Sequence, residues 1–172
     1  MMDALEVFFE QDLLSRCRGK LLLPKEIEES VEEFKRMKKR IATLNGSFDL
    51  LHAGHLEILD QAAMQGDLLI VALNSDASIQ KYKSPKRPII PLKYRLQMMS
   101  SLVMVDYVTW FEETDPRELL KKIRPHVHVN GAEYGENCIE KEVVEAGGGR
   151  VHLVSLVPGL STTAMIKKIQ CD

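Results

Sequence analysis

Several features are scarce in this sequence of 172 residues, and each absence excludes a class of protein. Cysteine occurs only at Cys17, Cys138 and Cys171, an odd number without a Cys-x-x-Cys pair, which excludes a disulfide framework and a cysteine-rich zinc site. No apolar run approaches the roughly 18 residues of a membrane span, and the acidic N-terminus is unlike a signal peptide. With 23 basic and 25 acidic residues, the net charge of -2 argues against a nucleic-acid-binding surface. These absences favour a cytoplasmic protein with neither nucleic-acid nor membrane partners.

Short apolar runs alternate with segments of helical spacing along most of the chain. The predicted strands are residues 41–44, 68–73, 107–110, 126–129 and 151–154, and the predicted helices are residues 53–65, 91–102, a segment after Asp115-Pro116, 139–146 and 162–170. This alternation predicts an α/β fold, a Rossmann-like doubly wound parallel five-stranded sheet that binds ligands at the carboxyl ends of its strands. The glycine run 147–149 ends a predicted helix, so we interpret it as a turn.

An amphipathic helix is predicted before the first strand, over residues 24–40. Ile27, Val31, Phe34 and Met37 share one face of it, with acids early and bases late, as the helix dipole prefers. We therefore predict an N-terminal helical extension over residues 1–38 and one domain over residues 39–172.

The most informative segment, residues 45–55, reads NGSFDLLHAGH and lies between the first predicted strand and the following helix. Unpaired amides and the partial positive charge at a helix N-terminus attract anions, and Gly54 permits close approach of a phosphate. His52 and His55 can donate hydrogen bonds to phosphate oxygens, although such a pair could also bind a metal or lie at the surface. The position after a strand favours phosphate chemistry.

This segment resembles the GxFDxxHxGH signature of the cytidylyltransferase-like nucleotidyltransferases, which transfer a nucleoside monophosphate from a nucleoside triphosphate to a phosphorylated acceptor. Residues 160–163, Leu-Ser-Thr-Thr, are similar to the second signature of that family, and such a cluster also suits a helix N-cap. Residues 74–78, Lys83 and residues 87–95 resemble one branch, the D-glycero-beta-D-manno-heptose 1-phosphate adenylyltransferases, which use ATP. Because about 38 residues precede the similar region, too few for a sugar kinase, the resemblance implies the stand-alone form with a separate kinase upstream.

The resemblance also implies roles for individual residues. His52, His55 and Lys83 are expected to be catalytic. The expected nucleotide-binding residues are Asn45, Gly46, Ser47, Phe48, Asp49, Gly54, Arg95, Gly131, Ser161, Thr162 and Thr163. The expected acceptor-binding residues are Asp76, Arg87, Asn130 and Glu133, of which Asn130 stands where the branch has a lysine.

Alternatives exist for some of these residues. Asp49 could hold the signature turn, and Arg95 could be a solvated helix charge. His126 and His128 alternate along one predicted strand, and we interpret them as structural. Mg²⁺ is expected with ATP, held mainly by phosphates and water, and no metal site made by side chains is predicted. The resemblance further implies a homodimer.

The leading functional hypothesis is transfer of AMP from ATP to D-glycero-beta-D-manno-heptose 1-phosphate, giving ADP-heptose and pyrophosphate for lipopolysaccharide core biosynthesis. The alternatives are a glycerol-3-phosphate cytidylyltransferase, an FMN adenylyltransferase, or a non-catalytic nucleotide-binding module. Leu156 stands where the cytidylyltransferases of glycerol phosphate carry an arginine, which disfavours the first alternative. A fragment of a class I aminoacyl-tRNA synthetase is excluded because the chain is short and not basic.

Overall fold

Five parallel strands form one central sheet in the computed structural model, which describes residues 19–135, 138–155 and 161–170. The strands are β1 (Ile41–Gly46), β2 (Leu68–Asn74), β3 (Tyr107–Phe111), β4 (Val127–Gly131) and β5 (Arg150–Val154). Their order across the sheet is β3-β2-β1-β4-β5, and every neighbouring pair is parallel. The predicted Rossmann-like, doubly wound five-stranded sheet is therefore confirmed.

Helices cover both faces of this sheet. They are α1 (Ile27–Arg36), α2 (Ala53–Ala63), α3 (Asp76–Tyr82), α4 (Leu92–Ser100), α5 (Arg117–Ile123), α6 (Lys141–Ala146) and α7 (Thr162–Gln170). A short 3-10 helix spans Ala132–Tyr134. Apolar residues of α2 and α4 form one buried cluster with the sheet, and those of α1 and α5 form a second. No helix among these residues has the length and apolar character needed to cross a membrane.

Helix α1 belongs to the core of the domain. Ile27 and Val31 are fully buried and Phe34 is nearly so, all three packed in the cluster that contains Ile41 of β1. The predicted boundary at residue 38 therefore lies between a helix and a strand that share one core. The prediction that Met37 lies on the buried face is wrong, because the helix ends at Arg36 and Met37 is 60% exposed. Residues 1–18 lie outside the described part of the chain.

The chain changes direction across the sheet after β3. Strands β1, β2 and β3 progress towards one edge, and β4 then returns to the other side of β1. Such a reversal separates the loops that follow the two central strands, so a crevice opens at their carboxyl ends. Asn45 and Gly46 end β1, and Asn130 and Gly131 end β4, so these four residues line the expected binding position.

Two smaller predictions from the sequence are confirmed. His128 is fully buried, and its Nδ1 lies 2.8 Å from Oγ1 of Thr43, which gives it a structural contact between β4 and β1. The glycine run follows the last turn of α6, with Gly148 at a φ of 83° in the left-handed region that favours glycine.

Candidate active site

A cleft of about 510 Å³ opens where the crevice was expected, at the carboxyl ends of β1 and β4. Most of the predicted site residues line it, namely Asn45, Gly46, Ser47, Phe48, His52, Gly54, His55, Lys83, Asn130, Gly131, Glu133, Ser161, Thr162 and Thr163. The fold therefore brings the two signature segments and Lys83 to one place, although they are far apart along the chain.

The two signature histidines lie together at the start of α2. His52 is the N-cap residue of α2 and has an extended backbone, while His55 lies in the first turn. Their rings stack with centroids 3.8 Å apart, and the ring of Phe48 contacts His55 at a centroid distance of 5.3 Å. Phe48 is buried and adopts a φ of 45°, in the left-handed region that is strained for a bulky side chain.

Both histidines have a lowered pKa. Burial lowers the pKa of His52. Burial, followed by the nearby charges of His52 and Lys83, lowers the pKa of His55 to about 4. At neutral pH the free protein therefore presents two neutral imidazoles, each able to donate one hydrogen bond.

The free protein leaves hydrogen-bonding capacity unused beside these rings. The Nδ1 atoms of His52 and His55 and Oδ1 of Asn45 are buried without a hydrogen-bond partner among the described residues. Buried polar atoms in folded proteins are normally paired, so unpaired atoms in a cleft wall point to a site that a polar ligand completes. The adjacent N-terminus of α2, with its unpaired amides, favours an anionic ligand.

Lys83 approaches the signature loop from the end of α3. It follows the last turn of α3, and its Nζ donates a hydrogen bond of 2.9 Å to Oγ of Ser47. Burial, then the charge of Arg87, lowers the pKa of Lys83, whereas Asp49 raises it. Lys83 thus lies at the same loop as the histidines, and its charge acts on His55.

Asp49 holds this loop in place through buried hydrogen bonds. Its buried carboxylate accepts hydrogen bonds from the amides of Ile89 and Ile90, each at 2.8 Å, and from Nε of Arg87 at 2.6 Å. Burial alone would raise the pKa of Asp49, but these donors outweigh burial and hold the pKa below its usual value. The interpretation of Asp49 as a residue that holds the turn fits this arrangement, because it ties the signature loop to residues 87–90.

Arg95 lies beneath the cleft and does not line it. It is fully buried, and its guanidinium donates to the carbonyl oxygens of Ser47 at 2.6 Å, Asn74 at 2.9 Å and Ile90 at 2.9 Å, and to Oδ1 of Asp76 at 2.7 Å. The alternative of a solvated helix charge is wrong. The expected contact of Arg95 with nucleotide stays a prediction that this arrangement does not support, because four of its five N–H groups already donate to the backbone and to Asp76.

Asp76 and Arg87, two of the expected acceptor-binding residues, form hydrogen bonds and ion pairs that hold the loops beneath the cleft. Oδ1 of Asp76 accepts from the amide of Leu92 at 2.9 Å, at the start of α4, and Arg87 pairs with Asp49. Neither side chain lines the cleft. Direct contact of Asp76 or Arg87 with an acceptor stays a prediction that this arrangement does not support.

The second signature lies at the N-terminus of α7. Oγ of Ser161 accepts from the amide of Ala164 at 3.1 Å, so the N-cap interpretation of this serine is confirmed. Thr162 and Thr163 begin the helix and also line the cleft. Two helix N-termini, those of α2 and α7, therefore contribute to one anion-attracting site. Leu156 and Leu160 lie outside the described residues.

The wall beside β4 also contains residues that are not among the predicted site residues. Glu140 precedes α6 and is 5% exposed, and Nδ2 of Asn130 donates to its Oε2 at 3.2 Å. Tyr134 and Ile139 line the same wall, and Tyr82 lines the opposite one. Tyr134 ends the segment 130–134, which resembles a motif of the heptose phosphate branch, but no motif marks Tyr82, Ile139 or Glu140. An acid before a helix is too common to single out Glu140 from sequence.

Side chains capable of holding a metal do not cluster in the described residues. No group of three or more His, Cys, Asp or Glu side chains in that part of the chain is arranged as a metal site. His52 and His55 stack face to face. The unpaired polar atoms beside the rings and the adjacent helix N-terminus favour the interpretation of the pair as a phosphate-binding device.

Comparison with known proteins agrees with this geometry. Residues 43–169 match the family model described as Cytidylyltransferase-like. The bifunctional protein HldE of Pelobacter propionicus is 46% identical over 140 residues, which cover 81% of this chain and 29% of that protein. HldE of Geobacter sulfurreducens is 46% identical over 136 residues, which cover 78% of this chain and 28% of that protein. The chain thus spans less than a third of the length of these relatives.

Solved structures show the same architecture. A lipopolysaccharide core biosynthesis protein from Thermoplasma volcanium has 25% identity and a TM-score of 0.56, with 69% of this chain and 97% of that chain covered. A pantoate-beta-alanine ligase from Francisella tularensis shares the fold alone, with 13% identity, a TM-score of 0.60, and 88% and 79% of the two chains covered. Together with the family match over residues 43–169, these findings establish that the chain belongs to the cytidylyltransferase-like family.

Proposed function

We propose that this protein is an adenylyltransferase that transfers AMP from ATP to D-glycero-beta-D-manno-heptose 1-phosphate, releasing pyrophosphate and forming ADP-heptose. The observation that carries the proposal is the meeting of His52, His55, Lys83 and the N-terminus of α7 in one cleft. The sugar-phosphate acceptor is supported by the similarity to HldE proteins and by the name of the Thermoplasma volcanium protein.

The proposed reaction needs charge stabilisation more than covalent catalysis. An acceptor phosphate oxygen forms a bond to the α-phosphorus of ATP, the bond from that phosphorus to the bridging oxygen breaks, and pyrophosphate leaves with the electron pair. The acceptor phosphate is already largely ionised near pH 7, since its second pKa is about 6, so no general base is required. Positioning and neutralisation of charge then supply most of the rate enhancement.

Each wall of the cleft has a role in this scheme. His52 and His55, neutral in the free protein, donate hydrogen bonds to the α-phosphate as negative charge develops on its oxygens. Lys83, held next to the signature loop by its bond to Ser47, neutralises phosphate charge. The N-terminus of α7, with Ser161 and Thr162, binds the departing β- and γ-phosphates through its amides.

Mg²⁺ is expected to enter with the triphosphate and to neutralise part of its charge. Magnesium usually keeps several waters and takes phosphate oxygens as ligands.

The direct test is pyrophosphate release by the purified protein with Mg²⁺ and ATP or CTP. The acceptors to compare are D-glycero-beta-D-manno-heptose 1-phosphate, glycerol 3-phosphate and FMN. We expect release only with ATP and the heptose phosphate. Release with a different pair would replace the substrates in this proposal, and no release with any pair would support the non-catalytic binding module.

Variants then test the roles of the cleft residues. His52→Ala and His55→Ala should each lower kcat by about 100-fold or more, the usual cost of removing one donor that stabilises transition-state charge. Lys83→Met should also lower kcat, whereas Lys122→Met, at an exposed position on α5 outside the cleft, is the matched control. Turnover within a few-fold of wild type for both histidine variants would contradict the assigned mechanism.

A further inference from the structure

The two sides of the cleft present different groups to a ligand: hydrogen-bond donors on one side and carboxylates on the other. His52, His55 and Lys83 lie on the side of β1 and β2, whereas Glu133 and Glu140 follow β4. Phosphates are attracted to the first side and repelled from the second. The β4 side therefore suits an uncharged part of a substrate.

A buried hydrogen-bonded pair forms part of this second side. Asn130 is 4% exposed and Glu140 is 5% exposed, and the amide of Asn130 holds the carboxylate through the 3.2 Å bond to Oε2. No ion pair to Glu140 occurs among the described residues. An ionised carboxylate accepts hydrogen bonds and cannot donate them, so this wall offers an acceptor in a fixed place. A buried acceptor of this kind discriminates strongly against ligand groups that cannot donate to it.

Apolar side chains flank this acceptor. Tyr134 is 63% exposed and Ile139 is 57% exposed, and both line the cleft, where a bound ligand would cover them. Flat apolar surfaces beside a polar edge suit a planar heteroaromatic ring better than a sugar, whose hydroxyl groups need several polar partners.

We propose that Glu140, positioned by Asn130, accepts a hydrogen bond from the exocyclic amino group of the nucleotide base and so selects an amino purine over a keto purine. Glu140 is then a specificity-determining residue, and Asn130 is a positioning residue that acts through it. This role of Asn130 differs from the acceptor contact expected from the sequence. The proposal deepens the proposed function, since it rests on that cleft binding a nucleotide.

The first measurement compares ATP with ITP, which carries a keto oxygen in place of the amino group. Calorimetric titration of the full-length wild-type protein with each nucleotide and Mg²⁺ gives two dissociation constants without requiring turnover. We expect ATP to bind at least about 10-fold more tightly than ITP, because ITP would place a second acceptor against the carboxylate. Similar affinities for the two nucleotides would overturn the proposal.

Variants locate the source of this discrimination. In Glu140→Gln, the amide oxygen can still accept from Asn130 while its NH₂ group donates to a keto oxygen, so the ratio of ATP to ITP affinity should fall by about 10-fold or more. Asn130→Ala should lower the same ratio, because the carboxylate is no longer held. Glu142→Gln, an exposed acid on the same helix, is the matched control and should leave the ratio unchanged. The thermal unfolding temperature of each variant shows whether it folds as the wild type does.

Other outcomes assign Glu140 elsewhere and would overturn the proposal. Equal weakening of ATP and ITP by Glu140→Gln, with 2′-deoxyATP unaffected, would indicate a contact with the ribose. A raised KM for the sugar phosphate with unchanged nucleotide binding would indicate a contact with the acceptor. Because nucleotide binding is measured directly, tight selective binding of ATP without pyrophosphate release would contradict the proposed reaction and leave this inference standing.

Discussion

His128 should make the stability of this protein depend on pH in a range that is easily measured. Its ring is fully buried in β4, with Nδ1 against Thr43 and with Nε2 lacking a partner among the described residues. Burial lowers the pKa of His128 to about 4 from an ordinary value of 6.5. Protonation in the folded state would place an unpaired charge in the core, so the folded protein favours the neutral ring.

The sign and size of the effect follow from linkage. Because the pKa is lower in the folded state, the unfolded chain takes up a proton first as the pH falls, and the free energy of unfolding decreases. The loss begins near pH 6.5, is complete below about pH 4, and totals about 3 kcal/mol at roughly 1.4 kcal/mol per pKa unit. Between pH 7 and pH 5 it amounts to about 2 kcal/mol.

Urea unfolding at several pH values measures this loss. Trp110, the single tryptophan, is 7% exposed and supplies a fluorescence probe of the transition. His128→Gln keeps a polar partner for Thr43 and does not titrate, so the difference in unfolding free energy between wild type and variant should change by about 2 kcal/mol between pH 7 and pH 5. Parallel pH dependences for the two proteins would refute the assignment, as would an NMR titration of His128 with a midpoint near 6.5.

Three further predictions concern the loop, the N-terminal helix and the histidine pair. Asp49→Asn should lower the free energy of unfolding by about 2 kcal/mol or more, because it weakens a buried network of charge-assisted hydrogen bonds. The control is Glu118→Gln, which removes an exposed ion pair to Lys121 and should change the free energy of unfolding by under about 1 kcal/mol in the same urea assay. Phe34→Ala should cost about 3 kcal/mol if α1 is part of the core, and a loss below about 1 kcal/mol would show that it is not. ATP binding should take up protons and should strengthen as the pH falls from 7 to 5.5, because bound phosphate raises the pKa of His55 from its value of about 4 in the free protein. Calorimetry in buffers of different ionisation enthalpy measures this proton uptake. Equal proton uptake by His55→Gln would contradict the prediction.

Much of the site could be predicted because its residues belong to continuous segments at the ends of recognisable elements. The apolar runs of β1 and β2 are long enough to indicate buried parallel strands, so the positions of Asn45–Gly46 and of the following helix could be read directly. The helix α3 was missed because its signal is a single capping serine, Ser75, followed by only seven helical residues.

The roles of several charged residues could not be predicted, since they depend on which atoms surround them. Arg95 has a sequence position that suits either a phosphate contact or a solvated charge, yet the fold encloses it among three backbone carbonyls and Asp76. Asp49 likewise meets the amides of Ile89 and Ile90, which are about 40 positions away in the chain. The partners of a buried charged side chain are often distant in the sequence, so local sequence patterns do not predict them.

The sequence by itself determined the alternation of strands and helices, the two helix starts that line the cleft and the family of the chain, because periodicity, glycine placement and short motifs are local properties. Tertiary structure alone decided that α1 belongs to the core, that Arg95 and Asp49 support the loops of the cleft, and that Asn130 holds Glu140 against it. The physical reason is that burial and hydrogen-bond partners arise only when β1, β4 and their connecting helices pack together. Burial and hydrogen bonding then set the charge state and the chemistry of each side chain.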